Sequence, residues 1–153
     1  MASKADTLWE DVLEHVEVNE REEALELCRQ ITTMDPNHAP AWKMTAKMIL
    51  PMERRGVQDM PSLSQAASAY GALQNVVKLV PDDVESWALG GILLVDHLGM
   101  LEEALNWWQQ RRIANPTDVT PLIEQIAILV RLGMYAEASD LLETMFEPDM
   151  EQP

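Results

Sequence analysis

Apolar residues recur at helical spacing along most of the chain and are interrupted at short, regular intervals. Leu8, Val12, Leu13 and Val16, with Trp9 beside them, predict a first helix over 8–18 that Asp6 or Thr7 could cap. Asn19-Glu20 interrupts. Ala24, Leu25, Leu27, Cys28 and Ile31 then predict a second helix that stops before Asp35-Pro36-Asn37, because a proline disfavours helix in the residue before it. Pro40 suits the first turn of a third helix, where no amide donor is needed, and Trp42, Thr45, Ala46 and Ile49 form its inward stripe up to Pro51. Residues 52–61, with Gly56 and flanking prolines, read as an inserted loop. A fourth helix runs from Ser62 or Ser64 to Leu79, with Ala66, Ala69, Leu73, Val76 and Val77 apolar.

The fifth helix, Val84 to about His97, carries two apolar stripes: Trp87, Gly91 and Leu94 on one, Ala88, Ile92 and Val95 on the other. Two stripes require two packing partners. Gly99-Met100 turns the chain, and Leu101, Ala104, Leu105 and Trp108 carry a sixth helix to Asn115-Pro116. The seventh, 119–132, is apolar around most of its circumference. Gly133 ends it, and Tyr135, Ala138, Leu142 and Met145 line an eighth that stops at Glu147-Pro148, ahead of a frayed tail.

The helices pair, and the pairs repeat. Pro36, Pro81 and Pro116 close successive units at intervals of 45 and 35 residues. Discounting the 52–61 insertion brings the first interval close to a known period of about 34. Trp42, Trp87 and Leu122 each follow the closing proline by six residues, and Gly99, Leu101, Ala104 match Gly133, Tyr135, Ala138 in spacing and type. Glycine permits the tight turn between two helices, the bulky residue two places on fills the gap between them, and alanine lets their backbones approach. On these residues the chain resembles the tetratricopeptide repeat family over about Leu8 to Phe146. The match is fullest from Pro81 onward and thinnest in the first unit, whose turn lacks glycine.

The resemblance implies an all-α fold, a right-handed superhelical stack of about four helix-turn-helix units (about 8–36, 37–81, 82–116 and 117–147) between tails 1–7 and 148–153. It also implies a scaffold or adaptor that holds a partner peptide or helix in a concave groove lined by the leading helix of each unit. Carried onto this chain, the partner-binding stripe is Lys43 and Lys47 in the second unit, Ala88, Ile92 and Val95 in the third, and Ile123, Ala127 and Val130 in the fourth. Some members of the family grip a C-terminal carboxylate from this surface with lysines and asparagines. Lys43 and Lys47 would be the candidates, but Glu10, Glu14 and Glu17 stand on the same stripe of the first unit and could pair with them, and the third-unit stripe has no asparagine. The apolar stretch suits the hydrophobic face of a partner helix or an extended apolar peptide. The uncovered C-terminal edge, beside the apolar seventh helix, offers self-association as the alternative, with Asp140, Glu143 and Glu147 as a polar shield against it. The family also includes chaperones for secreted or unassembled partners. Trp107 and Trp108 adjoin, so they point about 100° apart; Trp108 takes the core position and Trp107 is left as a candidate binding anchor, with packing over a neighbouring helix as the alternative.

Composition narrows the partner. A net charge of −15 disfavours nucleic acid and anionic membranes and favours a basic partner. No run approaches the length of a membrane span, the first residues lack the apolar core of a signal peptide, and Cys28 stands alone, which together suggest a cytoplasmic protein. His15, His38 and His97 are scattered without a ligand partner at metal-binding spacing. No phosphate loop or nucleophile motif is present, so neither catalysis nor a cofactor nor a metal is expected.

Overall fold

The computed structural model describes residues 3–50 and 61–146. The expected loop at 52–61, Pro61 apart, and the expected tails at 1–7 and 148–153, Ser3 to Thr7 apart, lie outside the described residues. Ser3, rather than Asp6 or Thr7, opens the first helix. Its hydroxyl accepts from the Asp6 amide, and the Asp6 carboxylate accepts from the Ser3 amide, a reciprocal cap that starts α1 earlier, at Lys4–Glu17. The first turn needs no glycine because Asn19 takes the left-handed conformation, φ 61°, that Gly99 and Gly133 take in the later turns. Asn19 stands five residues before Ala24, as Gly99 does before Ala104 and Gly133 before Ala138.

The helices that follow are α2 (Arg21–Met34), α3 (Ala39–Ile49), α4 (Leu63–Leu79), α5 (Val84–Ile92), α6 (Leu101–Ala114), α7 (Thr120–Arg131) and α8 (Tyr135–Phe146). Ser62, not Ser64, caps α4, in a second reciprocal cap with Gln65. All substantial helix packing is between consecutive elements, so the molecule is an all-α helical repeat stack. Ala24 and Ala104 are fully buried and Ala138 nearly so, at the positions where the helices of a pair approach.

Between Ile92 and Gly99 the regular helix gives way to a π turn, Leu93–His97, in which the Leu98 amide donates to the Leu93 carbonyl at 2.9 Å. Gly99 follows Trp87 by 12 residues, whereas Gly133 follows Leu122 by 11. The wider turn absorbs the additional residue and returns the chain to register for α6.

The six-residue spacing from proline to tryptophan has a direct cause. The indole N–H of Trp42 donates to the Pro36 carbonyl, and that of Trp87 to the Pro81 carbonyl, each at 2.8 Å, so the first turn of the leading helix is pinned to the loop before it. Buried Arg111 donates to the same Pro81 carbonyl at 3.1 Å and pairs with Asp118 at 3.2 Å, tying the turns on either side of the third unit together.

The core forms two clusters that meet in α3. Ala41, Met44 and Met48 pack toward α1 and α2, while Ala46, Leu50, Trp42 and Ile49 pack toward α4 and the elements after it. Trp107 and Trp108 are both buried in the second cluster, so Trp107 takes the packed alternative and not that of a displayed anchor. They do point in different directions, but each lies against its own glycine. A Cβ on Gly90 would sit 2.3 Å from the Trp107 ring, and one on Gly91 2.5 Å from the Trp108 ring. Two adjacent glycines on α5 thus receive two adjacent indoles from α6.

Candidate functional site

The leading helices α1, α3, α5 and α7 share one face of the stack, and its character changes from joint to joint. At the joint of α3 with α5, the Lys43 ammonium lies 3.0 Å from both Asp83 Oδ1 and Glu85 Oε1, and Lys47 lies 2.7 Å from the same Glu85 oxygen. Glu85 sits in the first turn of α5, where the helix dipole favours an acid. Asp83 also accepts from the Ser86 hydroxyl at 2.6 Å, so its carboxylate is held in place. Burial pulls the Lys43 pKa down, but hydrogen bonds and attraction from Asp83 and Glu85 outweigh it and raise the group above its ordinary value. Hydrogen bonds from Lys47 and then Lys43 hold the Glu85 carboxyl below the usual range. The lysines therefore pair with the third unit and not with Glu10, Glu14 and Glu17, and those three glutamates are exposed.

The next joint, α5 with α7, is an open cleft of about 230 Å³. Ala88, Ile92 and Val95 from α5 and its π turn line one side, and Ala127 with Ile128 of α7 the other. Gly91 and Trp108 line it too, and a Cβ on Gly91 would collide with the Trp108 ring. The Trp108 indole N–H is buried and has no hydrogen-bond partner in the protein. Asp96, Glu124 and Arg131 also line the cleft and supply its charges. The cleft owes its width to the small residues at 88, 91 and 127. Ile92 remains 43% exposed beside this cleft.

Of the stripe anticipated from the sequence, Ala88, Ile92, Val95 and Ala127 come together in this cleft. Ile123 and Val130 are exposed on α7 but do not line it. Lys43 and Lys47 are half-buried and engaged in ion pairs. Trp107 is 5% exposed and donates its indole N–H to the Trp87 carbonyl at 2.8 Å, so it is no free anchor. The contributions of Trp108 and Gly91 to the cleft were missed, although the pairing of Gly90-Gly91 with Trp107-Trp108 was visible as two small and two large neighbours. The C-terminal edge exposes Tyr135, Leu142 and Phe146, the last at 75%. Ile126, in contrast, is half-buried.

Cys28 is buried, which pushes its thiol up to about 11 against a hydrogen bond with Thr45 and leaves it protonated and unreactive at neutral pH. Among the described residues no cluster of His, Cys, Asp and Glu could hold a metal ion, and no helix is long and apolar enough to cross a membrane.

No protein-family model matches the chain, and no curated protein matches it in sequence. Solved structures do match in fold. "MamA 41-end from Desulfovibrio magneticus RS-1" superposes with a TM-score of 0.63 at 17% identity, over 97% of this chain and 77% of that one. "First TPR of Spaghetti (RPAP3) bound to HSP90 peptide SRMEEVD" gives 0.58 at 18% identity, over 85% of this chain and 96% of that one. PilW, titled a widely conserved type IV pilus biogenesis factor, gives 0.53 at 18% identity, over 94% of this chain and 61% of that one. The likeness extends over nearly the whole chain in each case.

Proposed function

We propose that this chain, a helical stack of the tetratricopeptide-repeat type, is a protein-interaction scaffold that seats the apolar face of a partner helix, or an extended apolar peptide, in the α5–α7 cleft. The observation that carries this reading is the exposed Ile92 beside a cleft kept open by Ala88, Gly91 and Ala127. In water such a surface is stabilised when a partner covers it. Asp96 and Glu124 against a single Arg131 leave the cleft lining acidic on balance, which favours a partner carrying basic residues beside its apolar ones. A neighbour of similar fold holds the acidic peptide SRMEEVD. An acidic ligand of that kind would here have to displace Asp83 and Glu85 from Lys43 and Lys47, so the resemblance in fold does not carry over to the ligand. This reading places the protein in the cytoplasm, as an adaptor without catalytic activity.

The test is to isolate bound proteins with the native chain and with Ile92→Glu. The reading expects a specific protein recovered with the first and lost with the second, while both variants stay folded.

A second reading rests on the row Tyr135, Leu142 and Phe146: a subunit that associates with copies of itself through its C-terminal edge. It expects a solution mass above that of the monomer, reduced by Leu142→Glu and untouched by Ile92→Glu. A chaperone holding an unassembled partner would use the same cleft and would release that partner when it assembles.

A further inference from the structure

Elsewhere on the stack, α4 and α6 leave a cleft of about 440 Å³, larger than the one between α5 and α7 and sharing no lining residue with it. Its floor is aromatic: Trp107 meets Trp87 at a centroid separation of 4.6 Å and Tyr70 at 5.4 Å. Both of those indole N–H groups are already bonded, to the Trp87 and Pro81 carbonyls, and both rings are buried, so the floor asks for no further acceptor and half-buried Tyr70 supplies most of its exposed aromatic surface.

The two ends of this cleft differ. Tyr70 of α4 lies beside Glu103 of α6 at one end, and beyond Glu103 come the side-chain amides of Asn106 and Gln110. Glu103 has no ion-pair partner among the described residues. Its field nevertheless reaches into the cleft: burial raises the Tyr70 phenol pKa and the Glu103 charge raises it further, against a hydrogen bond with Gln74. At the other end stand Lys78 and Ile113, and Ile113 is 65% exposed, far more than an aliphatic side chain facing a neighbouring helix would be.

We infer that the α4–α6 cleft is a second docking site, for an extended peptide segment that places an arginine at the Glu103 end and an apolar side chain against Ile113. The aliphatic stem of an arginine covers the aromatic floor while its planar guanidinium reaches the Glu103 carboxylate and the neighbouring amide oxygens, an arrangement that a point-charge lysine matches less well. Lys78 repels a second cation at the far end, which orients the segment. From Glu103 to Ile113 along α6 is about 15 Å. Four extended residues span about 13 Å and return the side chain to the same side, so the two anchors are four positions apart in the segment.

Two probes follow from that spacing, acetyl-Arg-Ala-Ala-Ala-Leu-amide and acetyl-Leu-Ala-Ala-Ala-Arg-amide, one for each chain direction. Each is titrated to millimolar concentration while the indole N–H resonances of Trp107 and Trp108 are followed by NMR. At least one of the two shifts Trp107 and leaves Trp108 in place. Acetyl-Glu-Ala-Ala-Ala-Leu-amide does not, and Glu103→Gln and Ile113→Asp each weaken binding by about three- to tenfold. Both substitutions are at exposed positions, so the fold is retained. No shift at Trp107 with either arginine peptide, an equal shift with the glutamate peptide, or affinity unchanged by either substitution overturns the site. A shift confined to Trp108 assigns the peptides to the α5–α7 cleft and overturns it as well. Because the two clefts share no lining residue, failure here leaves the proposal for Ile92 standing, and the reverse also holds.

Discussion

Two neighbouring joints along the leading-helix face, α3 with α5 and α5 with α7, are built on the same repeat geometry and end in opposite chemical states. In the first, two lysines one helical turn apart meet two carboxylates at the start of the next leading helix, and the surface is closed by ion pairs. In the second, the equivalent positions are Ala88, Ile92 and Val95, and small residues facing one another leave a cleft in place of a contact. The backbone geometry is common to both; the side chains decide whether a joint is closed by ion pairs or left as an open cleft.

The largest effect in breaking this contrast is expected from Gly91→Ala. The new methyl would lie 2.5 Å from the rigid Trp108 ring, so either the indole or α5 must move. Chemical denaturation should show a loss of about 2 kcal/mol, in the range for overpacked cores; unchanged stability would mean that Trp108 can shift and does not determine the cleft's shape. Next comes Ile92→Glu. Placing a charge at the centre of the cleft should weaken partner binding by about 2 kcal/mol, the scale of an interface hot spot, yet change the unfolding midpoint little because the residue is 43% exposed.

Smaller effects are expected at the ion-paired joint. Glu85 has a folded-state pKa below its ordinary 4.5, so its contribution is in place above that value and disappears as pH falls through the lower one. Lys43 has a raised pKa, so its contribution is complete below 10.5 and disappears as pH rises through the folded value. The joint therefore holds throughout the neutral range and loosens at both extremes. Glu85→Gln should cost about 0.5 kcal/mol at pH 7, as for other partly exposed pairs, with the difference from the native chain shrinking below pH 4.5 and in high salt. Comparing urea midpoints at pH 7 and pH 3 checks this, and a difference that persisted at pH 3 would place the effect in packing. The smallest change belongs to Lys47→Met. Glu85 keeps Lys43 as a partner after that substitution, so stability should move by no more than a few tenths of a kcal/mol.

Much of this fold could be read from local signals. Helical periodicity, the Pro-to-Trp spacing and the Gly-to-Ala spacing each report contacts within one hairpin, and the structure gives them concrete form in the two indole-to-carbonyl bonds and the left-handed turn glycines. Alternatives stayed open where the relevant contact crosses from one unit to another. The stripe offered the glutamates of α1 as partners that could pair with Lys43 and Lys47, but the acids at the start of α5 take them, a fact of inter-unit spacing that no short-range pattern encodes. The divergence of adjacent helical residues left Trp107 either as a displayed anchor or lying over a neighbouring helix. The α5 glycines open a second recess, and the divergence itself directs each indole into its own.

The order of apolar and turn-forming residues was sufficient to specify eight helices, their pairing and the repeat that stacks them, because each of those features depends on neighbours a few positions away in the chain. Whether a given inward residue is spent on an ion pair, buried under an indole or left exposed in a cleft was settled only when separate hairpins were brought side by side. That outcome depends on distances of a few ångströms between side chains as many as forty positions apart, as Lys43 and Asp83 are.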